Sequence, residues 1–254
     1  MIKGFQDIKR APMFRGFPNL NQQMDNSAYG FSGCKFWLDA AYGLDTQTNL
    51  GAISTWVEKV RGYKFVQGTA GNQPRLLTSD AGFNNLPVVD FQSSTRSMTI
   101  GSGDSFGVGT NATIAFVFKK TGDAAGTFNA NALFTFSGLN AGQLVVRANN
   151  AAVGIQLLQT LNSGSNWQWY ATGSDTNTHI VVIVKNGSTV TFYLDGVAQT
   201  VVGTWPSVVA AWNNVGGNGG TLALFSKLAE AIIWDSALDP QAVSANINTK
   251  YAIY

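Results

Sequence analysis

From Phe36 onward, apolar positions fall in short β-prone runs separated by Gly, Asn and Thr. Phe36-Trp37-Leu38-Asp39-Ala40 opens the series. Ile53 to Glu58 alternates with the period of two that marks a half-buried strand. Pro87 to Phe91, Met98 to Ile100, Thr113 to Lys119, Asn131 to Phe136, Gln143 to Arg147 and Trp167 to Tyr170 continue it. The strongest local signal is His179 to Val202. There Ile180 to Val184 is β-branched, Asn186-Gly187 supplies two residues that tolerate positive φ, and Val190 to Leu194 returns. Asp195-Gly196 turns again, and Val197 to Val202 completes a three-stranded meander. Ala223 to Phe225 and Ala229 to Trp234 predict two further strands. Strands so spaced, with no amphipathic helix between them, predict an antiparallel sandwich or jelly roll.

Both ends depart from this pattern. Asp239-Pro240 predicts a helix start, because Asp accepts from free backbone N–H groups and Pro at the first position forfeits no needed donor. The helix is expected over about Pro240 to Thr249. Residues 1–33 carry Phe5, Phe14, Phe17, Tyr29 and Phe31 with neither strand nor helix period, interrupted by Gly and Pro. They read as an extended arm whose aromatics must lie on the body or on a neighbour, and residues 34–254 read as one domain.

Composition sharpens this. Charged residues are 12% of 254, about half the roughly 25% of ordinary soluble domains. Neutral residues, 22 Asn and 22 Thr among them, must supply the polar surface. A net charge of +2 gives no field suited to nucleic acid. No apolar run approaches the roughly 18 residues of a membrane span, and the N-terminus lacks the apolar stretch of a secretory signal. The single cysteine, Cys34, has no disulfide partner in the chain and reads as a small buried hydrophobe at a strand start. Synthesis in a cytoplasm without a signal peptide is the expectation.

Several passages, taken in order, resemble the laminin-G-like, concanavalin A-like lectin/glucanase superfamily over roughly residues 35–254. Phe36 to Ala40 resembles its opening strand, and Ile53 to Val60 its next element. Gln73-Pro74-Arg75-Leu76 followed by Leu86 to Phe91 resembles its "RP…G-x-x-V-x-F" passage. Phe192-Tyr193-Leu194-Asp195-Gly196-Val197 resembles its "YvDG" hairpin, and Leu228 to Asp239 its closing strand. The chain departs at Thr178-His179, where the family often has Trp-His. The resemblance implies an all-β, two-sheet antiparallel jelly-roll sandwich, here with an extended N-terminal arm and a short C-terminal helix. It leaves function open among lectins, hydrolases and structural modules.

The chemistry narrows that choice. Glucanases of this fold place two carboxylates on one face of a Glu-x-Asp-x-Glu strand. This chain has two Glu residues, Glu58 and Glu230, far apart, with no Asp two positions from either. The only His, His179, has no nucleophile elbow to serve. No catalytic residues are expected, a glycoside hydrolase is the least favoured reading, and Glu230 is expected to anchor backbone or a loop. Asp104, Asp123 and Asp175 lie in polar loops that calcium would need, yet form no dense cluster; no cofactor or metal is expected. Period two puts Trp167 and Trp169 on one face, beside Tyr170, with Trp212 and Asn213 as a second group. These five residues are the candidate glycan contacts, set against the alternative that tryptophans fill the core. Trp37, Trp56 and Trp234 read as core.

Two functions follow. One is a non-enzymatic virion structural protein, of a bacteriophage, as a head-decoration, capsid-associated or fibre component. It would assemble with copies of itself and other virion proteins through the arm residues Phe5, Arg10, Phe14, Arg15 and Phe17, and adhere to host polysaccharide. The other is a free lectin-like carbohydrate-binding module. Neither calls for nucleic acid or membrane insertion.

Overall fold

The computed structural model describes residues 27–91, 95–101, 106–121, 130–135, 143–148, 155–160, 166–170, 176–202, 210–216 and 226–254. For 130–135, 143–148, 155–160, 166–170, 201–202 and 210–211 this is the backbone alone. The described strands are, in chain order, β1 (Cys34–Asp39), β2 (Thr55–Val57), β3 (Lys64–Val66), β4 (Arg75–Asp80), β5 (Leu86–Asp90) and β6 (Met98–Ile100). There follow β7 (Phe106–Val108), β8 (Asn111–Lys120), β9 (Ala130–Thr135), β10 (Gln143–Ala148), β11 (Ile155–Thr160) and β12 (Asn166–Tyr170). The last are β13 (Thr178–Asn186), β14 (Thr189–Leu194), β15 (Val197–Val202), β16 (Ala210–Trp212), β17 (Asn214–Val215) and β18 (Ser226–Trp234), before helix α1 (Pro240–Tyr251).

All pairings are antiparallel and form the expected sandwich. One sheet runs β4-β5-β18-β8-β13-β14-β15, with β1 on the half of the β18 edge that β5 leaves free. The other runs β2-β3-β6-β17-β9-β10-β11-β12 and meets the first at β15, which pairs with β14 on one side and β12 on the other. Phe36, Leu38, Phe116, Val181 and Ile183 of the first sheet pack with Trp56, Phe65, Met98 and Val215 of the second. The first sheet buries its outer face too. Ala115, Val117, Ile180, Val182 and Ile232 meet Val243, Ile247 and Tyr251 of α1, which recur at the four-residue spacing of one helix face. This double burial is why β8 and β13 read as continuous apolar runs with no alternation.

The meander forms as expected, with one shift. β13 stays paired through Asn186, so the first turn is Gly187-Ser188, with Gly187 at φ +61 as a type II′ turn requires. Asp195 (φ +50) and Gly196 (φ +74) form the second turn, both in the left-handed region. Asp239 caps α1, its Oδ1 accepting from Gln241 N at 2.9 Å, and the helix runs two residues beyond the expected end, to Tyr251. The sequence pattern marked β2 within Ile53 to Glu58 but passed over β3, β4, β7, β11, β16 and β17. Ala223 to Phe225 lies outside the described residues.

Of the arm, residues 27–33 are described, and Phe5, Arg10, Phe14, Arg15 and Phe17 lie outside them. Ala28 and Phe31 exchange backbone hydrogen bonds at 3.0 Å around a tight Tyr29-Gly30 turn. Tyr29 packs on Trp37 (5.9 Å between centroids), and Phe31 meets Trp234 edge-on (6.3 Å).

Candidate functional site

The aromatic candidates divide. Trp167, Trp169 and Tyr170 lie in β12 near the junction of the two sheets, with Trp169 opposite Leu157 and Val201, and Tyr170 opposite Gln156 and Thr200. Their side chains lie outside the described ones. Trp212 is corrected: it is fully buried, 5.9 Å from the Phe106 ring, and has no face left for a sugar. Burial of this large side chain is worth more to the fold than its exposure. Asn213 is half-buried, and its carbonyl accepts from Ile100 N at 2.8 Å. Trp56 and Trp234 are core as expected. Trp37 is only half-buried, with the Lys59 ammonium 3.6 Å over its ring.

Both Glu residues are committed to the fold. Glu58 is 1% exposed and accepts from the backbone N–H of Trp37 (2.6 Å), Val60 (2.7 Å) and Arg61 (2.7 Å), fixing the 58–61 turn to β1. Glu230 is fully buried. It anchors the Tyr29-Gly30 loop, whose Tyr29 hydroxyl donates to it at 2.6 Å, and pairs with Lys250 of α1 as well. Asp39 joins the same network through Lys59 (3.2 Å) and Lys250 (3.6 Å). Burial pushes the Glu230 carboxyl upward, and burial beside Glu230 pushes the Tyr29 and Tyr251 phenols upward too.

His179 is the second residue of β13 and is buried. Its Nδ1 lies 2.7 Å from Asp195 Oδ2, while Asp195 Oδ1 accepts from Ile180 N at 2.8 Å. The pair stitches the Asp195-Gly196 turn to the strand start. It also lines a cavity of about 350 Å³ with Lys119, Thr178 and Gly82, residues that no local motif marks. Among the described residues no group of three His, Cys, Asp or Glu could hold a metal. Asp104, Asp123 and Asp175 lie outside them. Cys34 is buried at the start of β1, and burial pushes its thiol up to about 12.

No protein-family model matches the chain, and neither does any curated protein. Solved structures do. Domain 4 of AbnA, a GH43 extracellular arabinanase from Geobacillus stearothermophilus, in complex with arabinotriose, matches with a TM-score of 0.56 at 12% identity, covering 85% of this chain and all of that domain. The botulinum neurotoxin serotype D ligand-binding domain, in complex with N-acetylneuraminic acid, matches at 0.57 and 13% identity, over 86% of this chain and 51% of that one. Trypanosoma rangeli sialidase with the inhibitor DANA matches at 0.52 and 11% identity, over 89% of this chain and 33% of the enzyme. The chain thus spans about half of the toxin domain and a third of the sialidase. At such identities the likeness shows the fold alone, an antiparallel β-sandwich.

Proposed function

We propose that the chain is a non-catalytic carbohydrate-binding module built on a lectin-like β-sandwich. The observation that carries this is the structural likeness to sugar-bound domains, one of which, the arabinotriose-bound arabinanase domain, is matched over its whole length. Trp167, Trp169 and Tyr170 of β12 are the proposed stacking platform. Against catalysis stands the commitment of both Glu carboxylates to bonds within the fold. The test is a glycan array followed by calorimetry on the hits. W167A and W169A should each weaken binding at least tenfold with the circular dichroism unchanged. Silence across a broad array would overturn the module reading, and release of reducing ends from a bound polysaccharide would overturn the non-catalytic one.

A narrower reading makes this module a virion component of a bacteriophage, produced in the host cytoplasm, joined to copies of itself and other virion proteins by Phe5, Arg10, Phe14, Arg15 and Phe17. It draws support from the low charge of the chain, which suits assembly through neutral contacts. Mass spectrometry of purified particles tests it directly; a chain absent from particles and monomeric by native mass would exclude it.

A further inference from the structure

The cavity beside the chain's last turn is built from groups that belong to a ligand site. Lys227, Lys119 and Thr178 stand in one row across β18, β8 and β13, Lys119 pairing in register with both others. Lys227 is committed to Asp80 at 2.5 Å. Lys119 makes no direct ion pair or hydrogen bond among the described residues, and its ammonium at the cavity wall acts on Asp80 only through space. Thr178 is 7% exposed, and its hydroxyl has no hydrogen-bond partner among the described residues. A buried hydroxyl left unpaired is costly unless something else completes it.

These groups converge on Gly82. A Cβ placed there would lie 3.0 Å from Thr178 Oγ1, 3.1 Å from Asp80 Oδ1 and 3.4 Å from Lys119 Nζ. Glycine keeps that polar corner open. Asp195 supplies acceptors in the same cavity. Its carboxylate, 24% exposed, offers about four acceptor sites, and the bonds to His179 and Ile180 N use two.

A lone metal cation would be repelled by Lys119. Inorganic phosphate would bring nearly twice the negative charge of a single carboxylate beside Asp80 and Asp195, with few hydroxyls for the Asp195 acceptors. A neutral sugar would leave the ammonium without a directly bonded counter-charge, since it meets Asp80 only through space. A ligand with both a carboxylate and hydroxyls uses every group, and the cavity volume is at the small end of small-ligand pockets. We infer that this cavity is a second sugar subsite, specific for a uronic acid unit, with Lys119 on its carboxylate and Asp195 and Thr178 on its hydroxyls, directly or through one water. The inference rests on the carbohydrate-binding reading and adds an acidic-sugar preference at a place remote in sequence from β12.

The test titrates the full chain with galacturonate and glucuronate oligosaccharides, with neutral oligosaccharides of the same linkage, and with inorganic phosphate. The uronates should bind at least tenfold tighter than their neutral counterparts, and more weakly as salt rises. K119Q should remove that preference while leaving neutral binding unchanged. T178V, nearly the same shape, should weaken uronate binding severalfold without loss of fold. Equal binding of acidic and neutral sugars, unchanged uronate binding in K119Q, or phosphate binding as tight as uronate would each overturn the subsite. Neutral binding lost in W167A but indifferent to K119Q, without any uronate preference, would sink the subsite and leave the module reading standing. Binding of no sugar at all would sink both.

Discussion

Single residues here show burial and partners competing to set a group's chemistry. Asp80 is the clearest case. Burial would raise its carboxyl, but the Lys227 hydrogen bond, the Gly82 N–H and the charges of Lys227 and Lys119 outweigh it and hold the group below the ordinary carboxylate value. A depressed folded value means that the ionised form stabilises the fold above the unfolded value near pH 4, and that this stability is lost as pH falls through the folded value. D80N should therefore lower neutral-pH stability by about 2 kcal/mol, the scale of a hydrogen bond to a charged group. It should also flatten the acid limb of a urea-denaturation profile taken from pH 6 to pH 2; an unchanged limb would show that Asp80 is not ion-paired. Cys34 shows the opposite case. With its thiol pushed up to about 12 and its side chain out of reach of solvent, it should resist iodoacetamide at pH 8 in the folded chain and react fully in guanidinium. Cys34 was legible from its position alone, since a lone cysteine opening an apolar strand has little else to be. Trp212 was not: a tryptophan followed by two asparagines reads equally well as an exposed loop platform or as a core anchor, and only the packing against Phe106 separates the two.

Elements were legible in proportion to how local their causes are. The meander could be read because each turn residue acts on its own backbone, and even there the pairing of Asn186 with Asn111 moved one turn by a residue. The helix could be read because Asp239 and Pro240 carry their start signal within two positions. Strands β7, β16 and β17 are two or three residues long and exist only because a distant partner takes their hydrogen bonds, as Asn214 does between Thr99 and Thr135. No window of sequence contains that partner. The helix cap makes a direct test. Asp239 accepts from Gln241 N and Ala242 N, so D239A should cost about 1 kcal/mol by urea denaturation. The cap is exposed and α1 is held to the sheet by Val243, Ile247 and Tyr251, so the loss should shift the midpoint without splitting the transition. A biphasic curve would show instead that α1 unfolds apart from the sandwich.

Over the whole molecule, the sandwich followed from strand spacing, whereas the groups lining the candidate subsite did not. Periodicity tells which residues share a face of one strand; it does not tell that β18, β8 and β13 become neighbours and line up Lys227, Lys119 and Thr178. The same nonlocal logic governs the buried charges. Glu230 of β18 draws in Tyr29 from the chain's early turn and Lys250 from its last helix, and Lys250 also faces Asp39 of β1. Four segments distant in sequence are thus tied at one buried point. A buried ion pair gives modest net stability, because desolvation offsets most of the attraction, yet removing one partner strands the other charge. K250M leaves Glu230 fully buried opposite Asp39 with its ammonium gone, and should cost about 3 kcal/mol, the lower end for such breaks because Lys250 itself is 30% exposed. E230M/K250M removes both charges and should recover most of that loss, although Tyr29 then lacks its acceptor. Urea denaturation of the two single variants and the double gives the coupling energy. A double variant as unstable as the sum of the singles would show that Glu230 and Lys250 act independently, and that the early turn is held to the last helix by other contacts, such as the Asn246 amide donating to the Tyr29 carbonyl at 3.1 Å.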